Sequence, residues 1–453
     1  MVRDMTEGKP IRLILAFMVP MFLGNLFQQL YNMVDAIIVG KGVGKYALAA
    51  VGSTGSLNFL VIGFVLGLCS GLCIPIAQRF GAGDMAGMRK ALMNAIYISL
   101  AIAAVLTTVT VCFARQILTI MDTPADIFDQ AYDYIVIIFA GIAATVLYNL
   151  PAGILRALGD SRTPLLFLLI SSLLNVVLDL LAVLVLKLGV AGAAYATVIA
   201  QAVSGALCVL YIKKRYPILR IQREEMAFDW PIVKQGLLNG LPMGLQFSFT
   251  AVGSVVLQRA VNGLGSEIVA AVTAAGKVQM LSTQPMEALG VTMATYCGQN
   301  LGARRMDRIR EGMKQGLGAV AVSSLFSFAV VNLFGRQLAL LFLDANEVQI
   351  LTRVAQFTWI NSLFFPFLGL LLALRNALQG MGYSLSAMLA GVFELVARAT
   401  VAFFLVGRFH FDAVCFANPA AWIAANVLLV PLYMICVRRL ERRIGAQGDL
   451  ERA

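Results

Sequence analysis

Residues 20–40 read PMFLGNLFQQLYNMVDAIIVG, a run apolar enough to cross a bilayer yet interrupted by Gln28, Tyr31, Asn32 and Asp35. Measured from Gln28, the others fall at spacings of three, four and seven, which puts all four on one face of an α-helix. A carboxylate at the centre of a spanning helix costs roughly 2.5–3.5 kcal/mol on insertion scales, so it is expected to face a partner or a water-filled cavity. A polar seam that only joins helices needs no acid. Asp35 is therefore read as functional, and the stretch as a membrane span.

The rest of the chain agrees. Of its 453 residues, 60% are hydrophobic and only 13% are charged. Apolar runs of about twenty residues recur along it, the length a bilayer asks of a helix. Barrel strands would alternate over about ten residues instead. The fold class is therefore an all-α membrane protein. A net charge of +11 raises the question of nucleic acid, but the basic residues sit in short connections with no aromatic-interleaved basic domain. No nucleic-acid partner is expected. All seven cysteines lie in apolar runs without a C-x-x-C motif, which argues against disulfides and zinc. A single histidine, His410, makes a histidine-ligated metal centre untenable. The opening MVRDMTEGKPIRLILAF starts like a signal peptide, but its apolar run continues too far and lacks an A-x-A site, so it is expected to remain as the first span.

Twelve spans are expected, six in an N-lobe over 1–212 and six in a C-lobe over 232–440. A charged linker over 213–231 joins the lobes, and a tail over 441–453 follows. Lysine and arginine concentrate in alternate connections, which places both termini and the linker in the cytoplasm. Kinks are expected at Pro20, Pro75, Pro242, Pro285, Pro366 and Pro431. The halves repeat at offsets of 221 to 223 residues. Ala49-Ala50 recurs as Ala270-Ala271, and Gln78-x-x-Gly81-Ala82 as Gln299-x-x-Gly302-Ala303. Pro20 aligns with Pro242, and Leu155-x-x-x-Gly159 with Leu378-x-x-x-Gly382. Six spans per half make the repeats parallel, an arrangement found in secondary transporters.

Asn175 and Asp179 share a helix face in the fifth span, and Thr197 in the sixth can join them. With Asp35 they supply two carboxylates, an amide oxygen and a hydroxyl. Such a set can hold a proton between acids or coordinate a small hard cation. The second half does not repeat the acids, since Val256 and Leu257 stand opposite Asp35. It carries Lys277 and Glu287 in the eighth span, ten residues or about 15 Å apart on a straight helix, each a candidate for substrate contact. Glu287, just after Pro285, is the stronger of the two. Glu394 and Arg398 in the eleventh span are read as a self-neutralising structural pair. The tenth span is expected over 351–374, without a carboxylate.

The run P-x7-Q-x2-YN-x2-D-x4-G followed by ALAAVG, both Q-x-x-GA loops, RALGDSRTP at Arg156–Pro164 and NVVLD at Asn175–Asp179 resemble the multidrug and toxic compound extrusion (MATE) family. The likeness is to its bacterial DinF-like or MepA-like branches. It implies two pseudo-symmetric six-helix bundles around a central cavity. It further implies antiport of small organic, often cationic, drugs or toxic metabolites against protons or sodium, with no cofactor. The setting implied is a bacterial plasma membrane, and a monomer is expected. By position, Asp35, Asn175, Asp179 and Thr197 match the family's cation cluster, and Gln28, Tyr31 and Asn149 match the cavity beside it. The chain departs from the branch with C-lobe acids: Gln246 stands early in the seventh span, and the tenth has no acid.

Met21, Phe27, Met33, Met280 and Phe365 are candidates to line a cavity that adapts to varied apolar bodies. Two rival functions compete. One is a lipid-linked precursor flippase of the same superfamily, which would want a cationic cavity. The other is an intramembrane aspartyl protease using Asp35 and Asp179, although neither acid sits in a Tyr-Asp or Gly-x-Gly-Asp setting.

Overall fold

In a bilayer every backbone N–H and C=O must be paired within the chain, so apolar runs become helices. The computed structural model describes residues 4–343 and 345–450, and no strand occurs among them. Seven helices each cover one span: Pro10–Gly42, Gly55–Gly81, Met85–Cys112, Arg162–Val185, Gly189–Arg215, Trp230–Asn262 and Met306–Ala339. Two further spans are bent, Phe128–Ala140 with Ile142–Ala157 by 47° and Val348–Leu363 with Phe365–Gly380 by 51°. Ser266–Ser282 and Gln284–Gly302 make the eighth span, broken at Thr283. The helical stretch Ser384–Ala446 holds the last two, separated where His410 takes a φ of 48°. In chain order these are the first to twelfth spans.

The sequence repeat is also a repeat of backbone. Gly44 (φ 121°) and Gly265 (φ 99°) precede matching helices, and Gly159 (φ 78°) and Gly382 (φ 88°) close matching ones. Leu180–Val185 and Val401–Leu405, at the ends of the fifth and eleventh spans, are both π-helical. Lys187 (φ 54°) and His410 (φ 48°) follow them. The expected proline kinks divide into two kinds. Pro75, Pro285 and Pro366 fall in the first turn of a new segment, where the missing N–H costs nothing. Pro20, Pro242 and Pro431 lie inside helices.

The chain forms two compact units, one of Leu23–Ser248 and one of Met5–Phe22 together with the chain from Phe249 onward. Their boundaries thus fall within the first and seventh spans. The first unit packs around Val65, Leu68, Ile76, Met88, Phe139 and Leu155. Its second and seventh spans touch backbone to backbone at Gly71, where a Cβ would meet the Asn239 carbonyl oxygen at 2.6 Å. The second unit packs around Met286, Met293, Tyr296, Phe365, Leu371 and Trp422. Phe365, expected to line a cavity, is 1% exposed and belongs to that core.

The linker is strapped onto the third span. Arg89 donates from Nε and Nη2 to the Glu225 carboxylate at 2.6–2.9 Å. Asn94 Nδ2 donates to the Ala227 carbonyl (3.3 Å), and the Tyr97 hydroxyl donates to the Met226 carbonyl (2.9 Å). Asp229 then accepts from the Ile232 N–H (3.2 Å), starting the seventh span.

Candidate functional site

The fifth span starts where Asp160 Oδ1 accepts from the N–H groups of Arg162 (3.0 Å) and Thr163 (3.1 Å). From that fixed start, Asn175 and Asp179 turn inward on one face, 1% and 0% exposed. The Asn175 amide satisfies its neighbours when its nitrogen donates to Asp179 Oδ2 (2.8 Å) and its oxygen accepts from the Thr197 N–H (3.1 Å) and hydroxyl (3.3 Å). The first span brings Tyr31 beside Thr197, and Asp35, whose carboxyl is in hydrogen-bonding reach of Asp179. Tyr134 of the fourth span lies in electrostatic contact with Asp35, Tyr31 and Asp179.

Asp35, Asn175, Asp179 and Thr197, singled out on three separate spans, are thus brought together in the first unit. Two carboxyl groups in contact inside a low-dielectric medium cannot both stay charged without a proton or a cation between them. Asp35 Oδ1 and Asp179 Oδ1 are buried without a protein partner. The cluster can therefore accept a small cation at a site whose oxygen donors already stand in place.

The predicted cavity residues fare unevenly. Tyr31 joins the cluster, while Gln28, about one turn earlier on the same helix, is exposed. Asn149 of the fourth span donates from Nδ2 to the Thr145 carbonyl (2.8 Å) one turn back. Tyr134 escaped the sequence reading. A tyrosine within an apolar run carries no periodic signal of its own.

In the second unit, Lys277 and Glu287 are both exposed. Glu394 and Arg398 do not form the closed pair expected of them. Glu394 is 4% exposed and accepts from Arg398 Nη2 (3.4 Å) and also from Arg375 Nη1 (3.1 Å). Arg375 was expected just beyond the tenth span, but the helix Phe365–Gly380 carries it inside. The polar run after Leu374 reads as a span end, yet helical packing covers it.

Comparison with known proteins agrees with the repeat. The sequence model of the MatE family matches residues 20–181 and again 242–404. The Bacillus subtilis (strain 168) protein called probable multidrug resistance protein YpnP is 29% identical, over 98% of this chain and 97% of its own. Multidrug export protein MepA of Staphylococcus haemolyticus is 21% identical over 85% of each chain. A crystal structure described as MATE in complex with MaL6 superposes with a TM-score of 0.90, covering 97% of this chain and 99% of that one at 24% identity. At that identity the likeness is one of fold: twelve spans in two six-helix bundles.

Proposed function

Because this chain belongs to the MatE family, multi-pass membrane transporters of the multidrug efflux type rather than enzymes, we propose that it is an antiporter. It exports small organic, often cationic, compounds in exchange for an ion bound at Asp35, Asn175, Asp179 and Thr197. The observation that carries this reading is the contact between the Asp35 and Asp179 carboxyls, each with an unpartnered oxygen. A proton is the ion such a contact accommodates most directly. Family membership removes the protease reading and favours drug export over lipid flipping.

Ion binding and substrate binding then compete. A proton bound between the acids lets the first, fifth and sixth spans close on one another. Its departure leaves two repelling carboxylates that open the same contact. Gln28, Tyr31, Asn149, Lys277 and Glu287 are assigned to substrate contact. One proton crossing about 100 mV supplies roughly 2.3 kcal/mol, and each pH unit adds about 1.4 kcal/mol. Together these sustain a gradient of a few hundred-fold for a neutral compound exchanged one for one. The protein acts as a monomer in the bacterial plasma membrane, with both termini in the cytoplasm.

The test is efflux of a cationic dye from proteoliposomes under separately imposed pH and sodium gradients. Efflux driven by the pH gradient alone supports proton antiport. Efflux that needs sodium transfers the same four residues to a sodium site, and efflux driven by neither refutes antiport.

A further inference from the structure

The second unit places two arginines against one buried carboxylate. Arg375 and Arg398 both donate to Glu394, Nη1 of the first to Oε1 and Nη2 of the second to Oε2. Each keeps a buried N–H group with no partner, Nε on Arg375 and Nη1 on Arg398. Arg398 is 7% exposed, deep in a membrane span. An uncompensated cation there is costly, and an orphaned guanidinium donor adds to the cost. Within the contact the charges sum to one excess positive. Glu287 lies in electrostatic reach of Arg375 and Glu394 but makes no hydrogen bond to either arginine among the described residues. It is exposed, and Arg375 is partly so, which gives the arginines an opening.

We infer that Arg375 and Arg398 form an anion site, positioned by Glu394, that takes the carboxylate of an organic solute. This deepens the antiporter reading by adding a substrate class, and it rests on that reading. Two unpartnered N–H groups from two guanidinium ions match the two oxygens of one carboxylate. A single negative charge balances the excess of the three hydrogen-bonded groups, whereas a phosphate dianion would overshoot it. Gly253 of the seventh span leaves room: a Cβ there would stand 3.6 Å from Arg398 Nη1, in ordinary contact. Transported compounds would then include carboxylic acids and zwitterions as well as cations.

Rhodamine 110 and rhodamine 123 test this, since they differ only in a carboxylate against its methyl ester. Binding of each is measured by fluorescence anisotropy on the full chain in phosphatidylcholine nanodiscs. Arg398→Gln is expected to weaken rhodamine 110 binding about tenfold and to leave rhodamine 123 binding within about threefold. Gly253→Ala, which removes no charge and fits without a clash, is expected to do the same by crowding the open donor. Arg398→Lys restores part of the affinity. Failure of the wild type to bind rhodamine 110, or equal loss for both dyes in both variants, overturns the proposal. So does displacement of rhodamine 110 by phosphatidylglycerol in the disc, which would assign the arginines to a lipid headgroup. Rhodamine 123 efflux under a pH gradient, measured in parallel, separates the two readings. Its absence under both that gradient and a sodium gradient refutes antiport, while the dye-pair comparison in discs decides the carboxylate site.

Discussion

Asp35 and Asp179 bring their carboxyl groups into hydrogen-bonding reach inside the first compact unit, each keeping Oδ1 without a protein partner. Two acids in this relation act as one ion-binding unit, so removing either should disable it. Asp35→Asn and Asp179→Asn are each expected to abolish concentrative efflux in proteoliposomes while leaving expression unchanged. Downhill dye movement should persist. Concentrative efflux at the wild-type rate in either variant would remove the pair from coupling.

Asn175 holds Asp179 on one side and Thr197 on the other. Its replacement takes a neutral hydrogen-bonding bridge from between them but leaves both acids. Asn175→Ala is therefore expected to slow gradient-driven efflux by about tenfold without abolishing it, the effect of about 1.4 kcal/mol. Full loss would mean that the Asn175 contribution to the ion site is as indispensable as that of the acids. An unchanged rate would mean that the acids position themselves.

The same pair shows how far the sequence alone could go. Gln28, Tyr31 and Asp35 fall on one helix face by spacing, and so do Asn175 and Asp179, because a helix turns by a fixed angle per residue. The meeting of first, fifth and sixth spans rests on grouping the rare oxygen-bearing side chains within apolar runs and on the family resemblance, since spacing carries no information between helices. Tyr134 was lost for that reason. Arg375 was lost for another: hydropathy ends the tenth span at the first cluster of polar residues, and the helix runs on to Gly380. Without Arg375, Glu394 and Arg398 looked neutral and complete.

Glu394 is the only carboxylate hydrogen-bonded to Arg375 and Arg398 among the described residues. Glu394→Gln would leave two buried guanidinium ions facing each other. The expected cost is about 3–5 kcal/mol, the range for removing one partner of a buried pair. A lower melting temperature of the detergent-solubilised protein checks this. Arg375→Gln, which leaves Glu394 paired with Arg398, should cost less than Glu394→Gln. Equal melting temperatures for the two variants would show that solvent already compensates the arginines.

The linker strap offers a prediction outside the membrane. Hydrogen bonds from Arg89 hold the Glu225 carboxyl below the usual carboxylate range. A group whose acidity is increased by folding contributes stability at pH above its unfolded value, about 4.3. That contribution is lost as pH falls through the lower folded value. Arg89→Gln is thus expected to loosen residues 216–229 by about 2 kcal/mol at pH 7, read as faster amide exchange in that segment. The difference from wild type should shrink as the pH is lowered below about 4, because protonated Glu225 no longer distinguishes the two proteins. A difference that is small at pH 7 and unchanged on acidification would mean that Asn94 and Tyr97, rather than the ion pair, hold the linker to the third span.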